Sequence, residues 1–300
     1  MNVSSRLTGY LVMLSAVLIW GGWIVLTRYA VLNKVAPDAL SIMRFSVPAI
    51  LLAPVLFRIG LWPKGKTIPF LICLFGLGTP YFYLLTHGTA YAPAADVGPL
   101  TPGTMPLLVA LLSAIVLKEK FGTARAIGFA LCAAGVVAIG GRSILVSASD
   151  VSFGHMLLLA TAFAWASYTV AFRFVGVTAI EITALISFWS TLISVPLGWQ
   201  PLVEAFQTVP LNQMLMHFFM QGFASGLVAI VFFSIGISRL GASRAAAFVA
   251  LVPACATVIA IPVLHEIPDA ASIFGVVTTG LGVLLASGVV TELLSKKPVE

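Results

Sequence analysis

The sequence predicts an all-α membrane protein: ten transmembrane helices forming two inverted five-helix repeats around a central cavity, with both termini cytoplasmic. Three observations predict it: a scarcity of charge, ten apolar stretches joined by short connections, and a self-similarity at a shift of about 145 residues. Of the 300 residues, 60% are hydrophobic and 9% charged, and the mean hydropathy is +1.09. A soluble domain of this length carries about 25% charged residues. Sixteen Lys+Arg and ten Asp+Glu cannot coat a water-facing surface, so lipid is the main solvent.

The apolar stretches follow in order. The first, 7–30, lies behind Arg6. It is long enough to span, at about 20 residues, and it is echoed later in the chain, which a cleaved leader has no reason to be. The second, 38–58, carries Arg44 about seven residues in. The third, 67–88, is broken by Gly76-Leu-Gly78-Thr-Pro80. The fourth, 94–117, is broken by the run from Gly98 to Pro106, which includes Pro102 and Gly103. The fifth, 123–142, has Gly128 and Gly135 seven apart for close helix packing.

The sixth, 152–174, carries Trp165 and Tyr168, and the seventh, 180–199, carries Phe188 and Trp189 midway. A polar patch at about 199–211 is the longest connection. The eighth, 211–237, contains Gly222 and Gly226. The ninth, 243–264, contains Pro253, and the tenth, 270–291, repeats the glycine step at Gly275 and Gly282. Backbone polar groups in lipid must bond within their own segment, so spans of this length are helices.

Charge placement orients the bundle. With the N-terminus inside, the inner ends hold Arg6, Arg58, Lys64, Lys66, Lys118, Lys120, Arg125, Arg173, Arg239, Arg244, Lys296 and Lys297, twelve of the sixteen basic residues. Cytoplasmic loops carry such an excess, which predicts a multi-pass protein of the cell's inner (plasma) membrane. The pI of 9.4 therefore reports topology. The basic residues form no dense patch, and no nucleic-acid partner is expected.

The repeat divides the chain at 1–147 and 148–300. Trp20 falls on Trp165, Arg28 on Arg173, Gly88 on Gly236 and Pro106 on Pro253. Leu117-Lys118-Glu119 falls on Leu264-His265-Glu266, Gly128 on Gly275, and Gly135 on Gly282. Five spans per half is an odd number, so the halves enter the membrane from opposite sides. Inverted repeats of this kind characterise alternating-access transporters, with the substrate site at the repeat interface.

These residues resemble the EamA-type permeases of the drug/metabolite transporter superfamily. The likeness rests on Ala16-Val-Leu-Ile-Trp20 and Ala162-Phe-Ala-Trp165-Ala, on Arg44-Phe45, and on the segments Pro106…Lys118-Glu119…Gly128…Gly135 and Pro253…His265-Glu266…Gly275…Gly282. The aromatic spans and Ala95-Asp96-Val97-Gly98 look most like YddG-type amino-acid exporters. The resemblance implies ten helices around a cavity and efflux of amino acids, including aromatic ones, or of related metabolites. An exporter of another metabolite or drug class and a non-transporting scaffold are the alternatives.

Every acidic residue falls near a span end. The absence of a buried acid argues against obligatory proton coupling. Most basic residues also fall near span ends, so there is no basic midplane to suit phosphorylated cargo. That leaves a small neutral or zwitterionic solute as partner besides the bilayer. Arg44 is the exceptional in-span charge: either a site for a substrate carboxylate, or a structural arginine that caps carbonyls or pairs with Asp38 or Asp96. Trp20, Tyr81, Tyr83, Met105, Trp165, Tyr168 and Phe188 are candidate cavity walls, and helix packing is the competing role for each. Pro102, Gly103, Pro106 and Pro253 are candidate hinges, because proline frees backbone groups and bends helices.

His87 and His217 each suit a hydrogen bond to a neighbouring helix better than a proton relay. Cys73, Cys132 and Cys255 lie in apolar runs with no metal-ligand spacing, so neither metal nor cofactor is expected. No HExxH or GxSxG sequence is present, and no enzyme is expected. Oligomeric state has no sequence signal.

Overall fold

A computed structural model describes residues 3–118, 122–145, 149–240 and 248–287, and the described residues form helices without strands. The helices are α1 (Val3–Leu32), α2 (Pro37–Leu51), α3 (Ala53–Ile59), α4 (Thr67–Leu77), α5 (Thr79–Tyr91), α6 (Ala94–Leu100) and α7 (Met105–Val116). They continue with α8 (Thr123–Leu145), α9 (Ser149–Val175), α10 (Ala179–Thr208) and α11 (Leu211–Phe218). A π-helical stretch, Phe219–Val228, leads into α12 (Ala229–Leu240), and α13 (Val252–Leu264) and α14 (Ala270–Ala286) follow. Seven of the resulting segments are long and apolar enough to cross a membrane, or eight with α2 and α3 taken as one bent span; α13 and α14 are shorter apolar helices. Glu119, Lys120, Arg244, Lys296 and Lys297 lie outside the described residues.

The breaks follow local chemistry. α4 stops at Gly78, whose extended ψ of −154° separates it from α5. Thr101–Thr104 form a turn between α6 and α7. One break was not expected from the sequence: α2 and α3 meet at 64°, because Pro54 has no N–H to continue the ladder. Most of the expected polar connection at 199–211 is instead the last three turns or so of α10, which continues to Thr208. Gln200 Nε2 donates to Glu204 Oε1 at 3.0 Å, an i,i+4 pair that supports the helix as it leaves the apolar region. At its other end Thr178 and Glu181 form a reciprocal capping box.

The principal packings join the first half of the chain to the second. α1 lies against α12 and α13, while α9 lies against α4, α5 and α7. α2 pairs with α10, α8 with α14, and α6 sits on both α13 and α14. Glycines permit the closest crossings. A Cβ on Gly128 would stand 2.6 Å from the Gly282 carbonyl, and one on Gly98 would stand 2.6 Å from Pro253 Cα. Lys118 and His265, which the sequence repeat superposes, share a left-handed backbone at φ 55° and 56°.

Candidate functional site: a central aromatic cavity

Between α1, α2, α5, α9 and α12 lies a cavity of about 310 Å³, at the small end of the range for organic-ligand pockets, roughly 300–1,000 Å³. Its aromatic wall is Trp20, Trp23, Tyr81, Trp165, Tyr168, Phe172 and Phe233. Trp20 rests on Phe233 with ring centroids 5.4 Å apart, and Trp165 meets Tyr81 edge-on at 5.8 Å. Arg44 and Pro102 also line it. Six of the residues singled out in the sequence thus converge on one space: Trp20, Arg44, Tyr81, Pro102, Trp165 and Tyr168.

Three candidate wall residues stand elsewhere. Tyr83 is two positions from Tyr81, about 200° around the helix, so it turns outward, is 43% exposed and lies tilted against His87 with ring centroids 3.8 Å apart. Phe188 packs on Trp189 at 5.6 Å, on a part of α10 outside the lining, to which that helix contributes Ala179 and Thr183. Met105 begins α7 beyond the turn and is not in the lining. Among the hinge candidates, Gly103 is packed against Pro99 and Thr279. Pro106 lies at the start of α7 beside a second cavity of about 210 Å³, and Pro253 is buried at the start of α13.

Trp23, Phe172 and Phe233 were not singled out from sequence. The first two had a signal: Trp23 is three residues after Trp20, and Phe172 is four after Tyr168 and seven after Trp165, which places them on the same helix faces. Phe233 had none.

Arg44 is held by the π-helical stretch. Its Nη1 donates to the Gln221 carbonyl at 2.8 Å and to Ser225 Oγ at 2.7 Å, and its guanidinium carbon stands 4.9 Å from the centre of the Trp23 ring. Trp23 Nε1 donates to Gln221 Oε1 at 2.5 Å, and Gln221 Nε2 donates to Thr27 Oγ1 at 2.9 Å. π-Helical insertions recur at functional sites, and this one turns a carbonyl and a hydroxyl toward one cation. The carbonyl-capping role expected of Arg44 is therefore real, and it coexists with a place in the cavity wall. Among the ion pairs of the described residues, none joins Asp38 or Asp96 to it.

The lining reaches Phe172, Ala179 and Ile237, close to the α9–α10 turn and the end of α12, but at the opposite end it stops at Ile24, Leu85 and Val97. Beyond that point polar contacts tie the two halves together. Arg28 Nε donates to Glu266 Oε1 at 2.5 Å, and Arg28 Nη1 donates to the Thr89 carbonyl at 2.5 Å. Glu266 Oε2 accepts the Ala94 N–H at 2.8 Å. Nearby, Asp96 lies near the start of its span, as expected, and is fully buried there, because α9 and α14 cover it. Ser272 Oγ donates to its Oδ1 at 2.5 Å, and His155 Nε2 lies 3.0 Å from its Oδ2.

His87 Nδ1 lies 3.0 Å from the Tyr83 carbonyl on its own helix, not a neighbouring one. His217 is buried beside Tyr29 with neither ring nitrogen hydrogen-bonded. Among the described residues no group of His, Cys, Asp and Glu is placed to hold a metal.

The EamA-like transporter family model matches the chain twice, at residues 7–141 and 152–288. The chain belongs to the EamA-like transporter family. Its relatives include the uncharacterized transporter YetK of Bacillus subtilis (strain 168), 22% identical over 88% of this chain and 82% of that protein. YyaM of the same organism, also an uncharacterized transporter, is 25% identical over 94% of each. A probable terminal-alkyne amino-acid exporter of Streptantibioticus cattleyicolor is 25% identical over 82% of each. A solved crystal structure of a protein shares this chain's fold with a TM-score of 0.64, covering 99% of this chain and 100% of that one at 19% identity.

Proposed function

We propose that this EamA-like transporter exports small organic metabolites, amino acids with aromatic side chains among them, by alternating access. The observation that carries the reading is the aromatic cavity with Arg44 in its wall, set between the halves of the chain, with Arg28 and Glu266 paired beyond one end of its lining. Aromatic faces suit an apolar side chain, and a guanidinium suits a carboxylate. The exporter from Streptantibioticus cattleyicolor supports amino-acid cargo.

In this reading the chain has ten spans in two inverted five-helix repeats, 1–147 and 148–300, with both termini in the cytoplasm of an inner (plasma) membrane. Support comes from the double family match, the reciprocal packing of α1 and α9 and the shared backbone of Lys118 and His265. The cavity then faces the cytoplasm. Cargo enters past Phe172 and Ile237, and rocking of the halves about the breaks at Gly78 and Thr101–Thr104 exposes it to the other side once the Arg28–Glu266 contact opens.

The test is flux in proteoliposomes. Saturable movement of labelled phenylalanine above the protein-free rate is the expected result. Saturable flux of other metabolites alone would change the cargo class. Flux equal to empty liposomes across an amino-acid and metabolite panel would reject transport and leave a scaffold role.

A further inference from the structure

Charge at the cavity separates two classes of cargo that its shape does not. Arg44 is the only charged residue in the lining, and no Asp or Glu lines the cavity among the described residues. The stretch from Gly241 to Ala247, which precedes the lining residue Val249, contains Arg244 and no acid. A guanidinium has five N–H donors. The two on Nη1 are engaged by the Gln221 carbonyl and Ser225 Oγ. Among the described residues nothing takes Nε–H or the two N–H groups of Nη2, and one edge of an arginine with these donors matches both oxygens of a carboxylate. Trp23 and the π-helical stretch fix the guanidinium, so that little ordering is left to occur on binding.

We infer that the cavity recognises its cargo as a carboxylate anion with an apolar, aromatic-sized body, and that an α-amino group is not a recognition element. This rests on the reading of the cavity as the cargo site. A desolvated cation without a counter-charge is costly. A plain carboxylate neutralises Arg44, whereas a zwitterion leaves the site with a net positive charge and brings an ammonium that meets no acid. Thr183, Ser234 and Thr101 donate their hydroxyl hydrogens to the carbonyls of Ala179, Ile230 and Leu158, so their oxygens can accept from an ammonium but bring no counter-charge to offset it. The preferred class is therefore aryl-substituted monocarboxylates, with the corresponding amino acids as weaker members. The cargo becomes neutral or zwitterionic only at a loss of affinity.

Three ligands of one shape separate the contributions: 3-phenylpropionate, phenylalanine and phenethylamine. Their binding to the purified full chain in lipid nanodiscs is measured by calorimetry, which avoids passive leak of the free acid. The expected order is 3-phenylpropionate tightest, phenylalanine at least threefold weaker, and phenethylamine without detectable binding. R44K is expected to keep the order with affinity reduced about tenfold, and R44Q to abolish the advantage of the carboxylate. Circular dichroism melting checks that both variants fold, and the wild-type series decides the question if R44Q does not.

Tighter binding of phenylalanine than of 3-phenylpropionate overturns this inference and leaves the export reading intact. Binding of phenethylamine equal to 3-phenylpropionate does the same. Absence of binding by all three, with saturable flux of some other metabolite, overturns the inference but not transport. Absence of both overturns the two together.

Discussion

Arg28 and Glu266, 238 positions apart in sequence, meet at 2.5 Å at the end of the bundle where the cavity lining stops. The same two side chains also hold the Thr89 carbonyl and the Ala94 N–H, so one ion pair ties α1 and the α13–α14 connection to the junction of α5 with α6. Both side chains are mostly shielded, at 12% and 20% exposure, which lets the pair outweigh a surface salt bridge, worth about 0–1 kcal/mol.

Removing one partner should therefore bias the equilibrium between open and closed ends. E266Q is expected to lose about 2 kcal/mol of closure, the scale of a charge-assisted hydrogen bond, or roughly a thirtyfold shift toward opening at this end. A cysteine introduced at Leu85 reports it: thiol labelling from the closed end should rise well above that of L85C alone. Equal labelling in the two backgrounds would mean that the pair is not a latch.

The sequence repeat sets Arg173 and Glu119 where Arg28 and Glu266 stand in the other half. E119Q is therefore expected to act in the opposite sense, favouring access from the α9–α10 end. Labelling of S234C from that end should increase while labelling of L85C falls. A change in the same direction as E266Q would contradict the mirrored relationship.

Trp165 stands edge-on to Tyr81 in the cavity wall. W165A should weaken binding of an aromatic cargo by about tenfold or more, the loss typical of a buried aromatic anchor, while W165F keeps the ring and loses less. Titration of the cargo that shows saturable flux measures both. An unchanged dissociation constant for W165A would remove this residue from the binding wall.

Asp96 is fully buried with partners on both oxygens. D96A leaves His155 and Ser272 without their acceptor and is expected to lower stability by about 3 kcal/mol, read as a lower melting temperature in detergent. An unchanged melting temperature would show that the cluster contributes nothing to folding.

At the α6–α13 crossing, G98A places a methyl group 2.6 Å from Pro253 Cα. Backbone cannot yield there as a flexible side chain would, so overpacking should cost about 1–3 kcal/mol. The same thermal assay checks it, with G140A as a control, since Gly140 has open space around its missing Cβ.

Much of the site was legible because helical periodicity is local and the repeat marks equivalent positions in the two halves. Trp20 and Trp165 are superposed by the repeat and both face the cavity. Tyr83 and Phe188 misled because an aromatic residue in an apolar span reads alike whether it faces lipid, a neighbouring helix or a cavity. The bend between α2 and α3 was missed because Pro54 lies within an unbroken apolar run.

Composition, apolar periodicity and the proline and glycine breaks determined by themselves that this is a helical membrane protein with interrupted spans, because the bilayer forces every backbone group to bond within its own segment. Which aromatic faces share a cavity, that Asp96 is enclosed by His155 and Ser272, and that Arg44 is braced by Gln221 and Ser225 with no acid among the described residues lining its cavity were decided by tertiary packing alone. Those contacts join residues 59 to 181 positions apart. A local pattern records which way a side chain leaves its helix, and not what another helix brings to meet it.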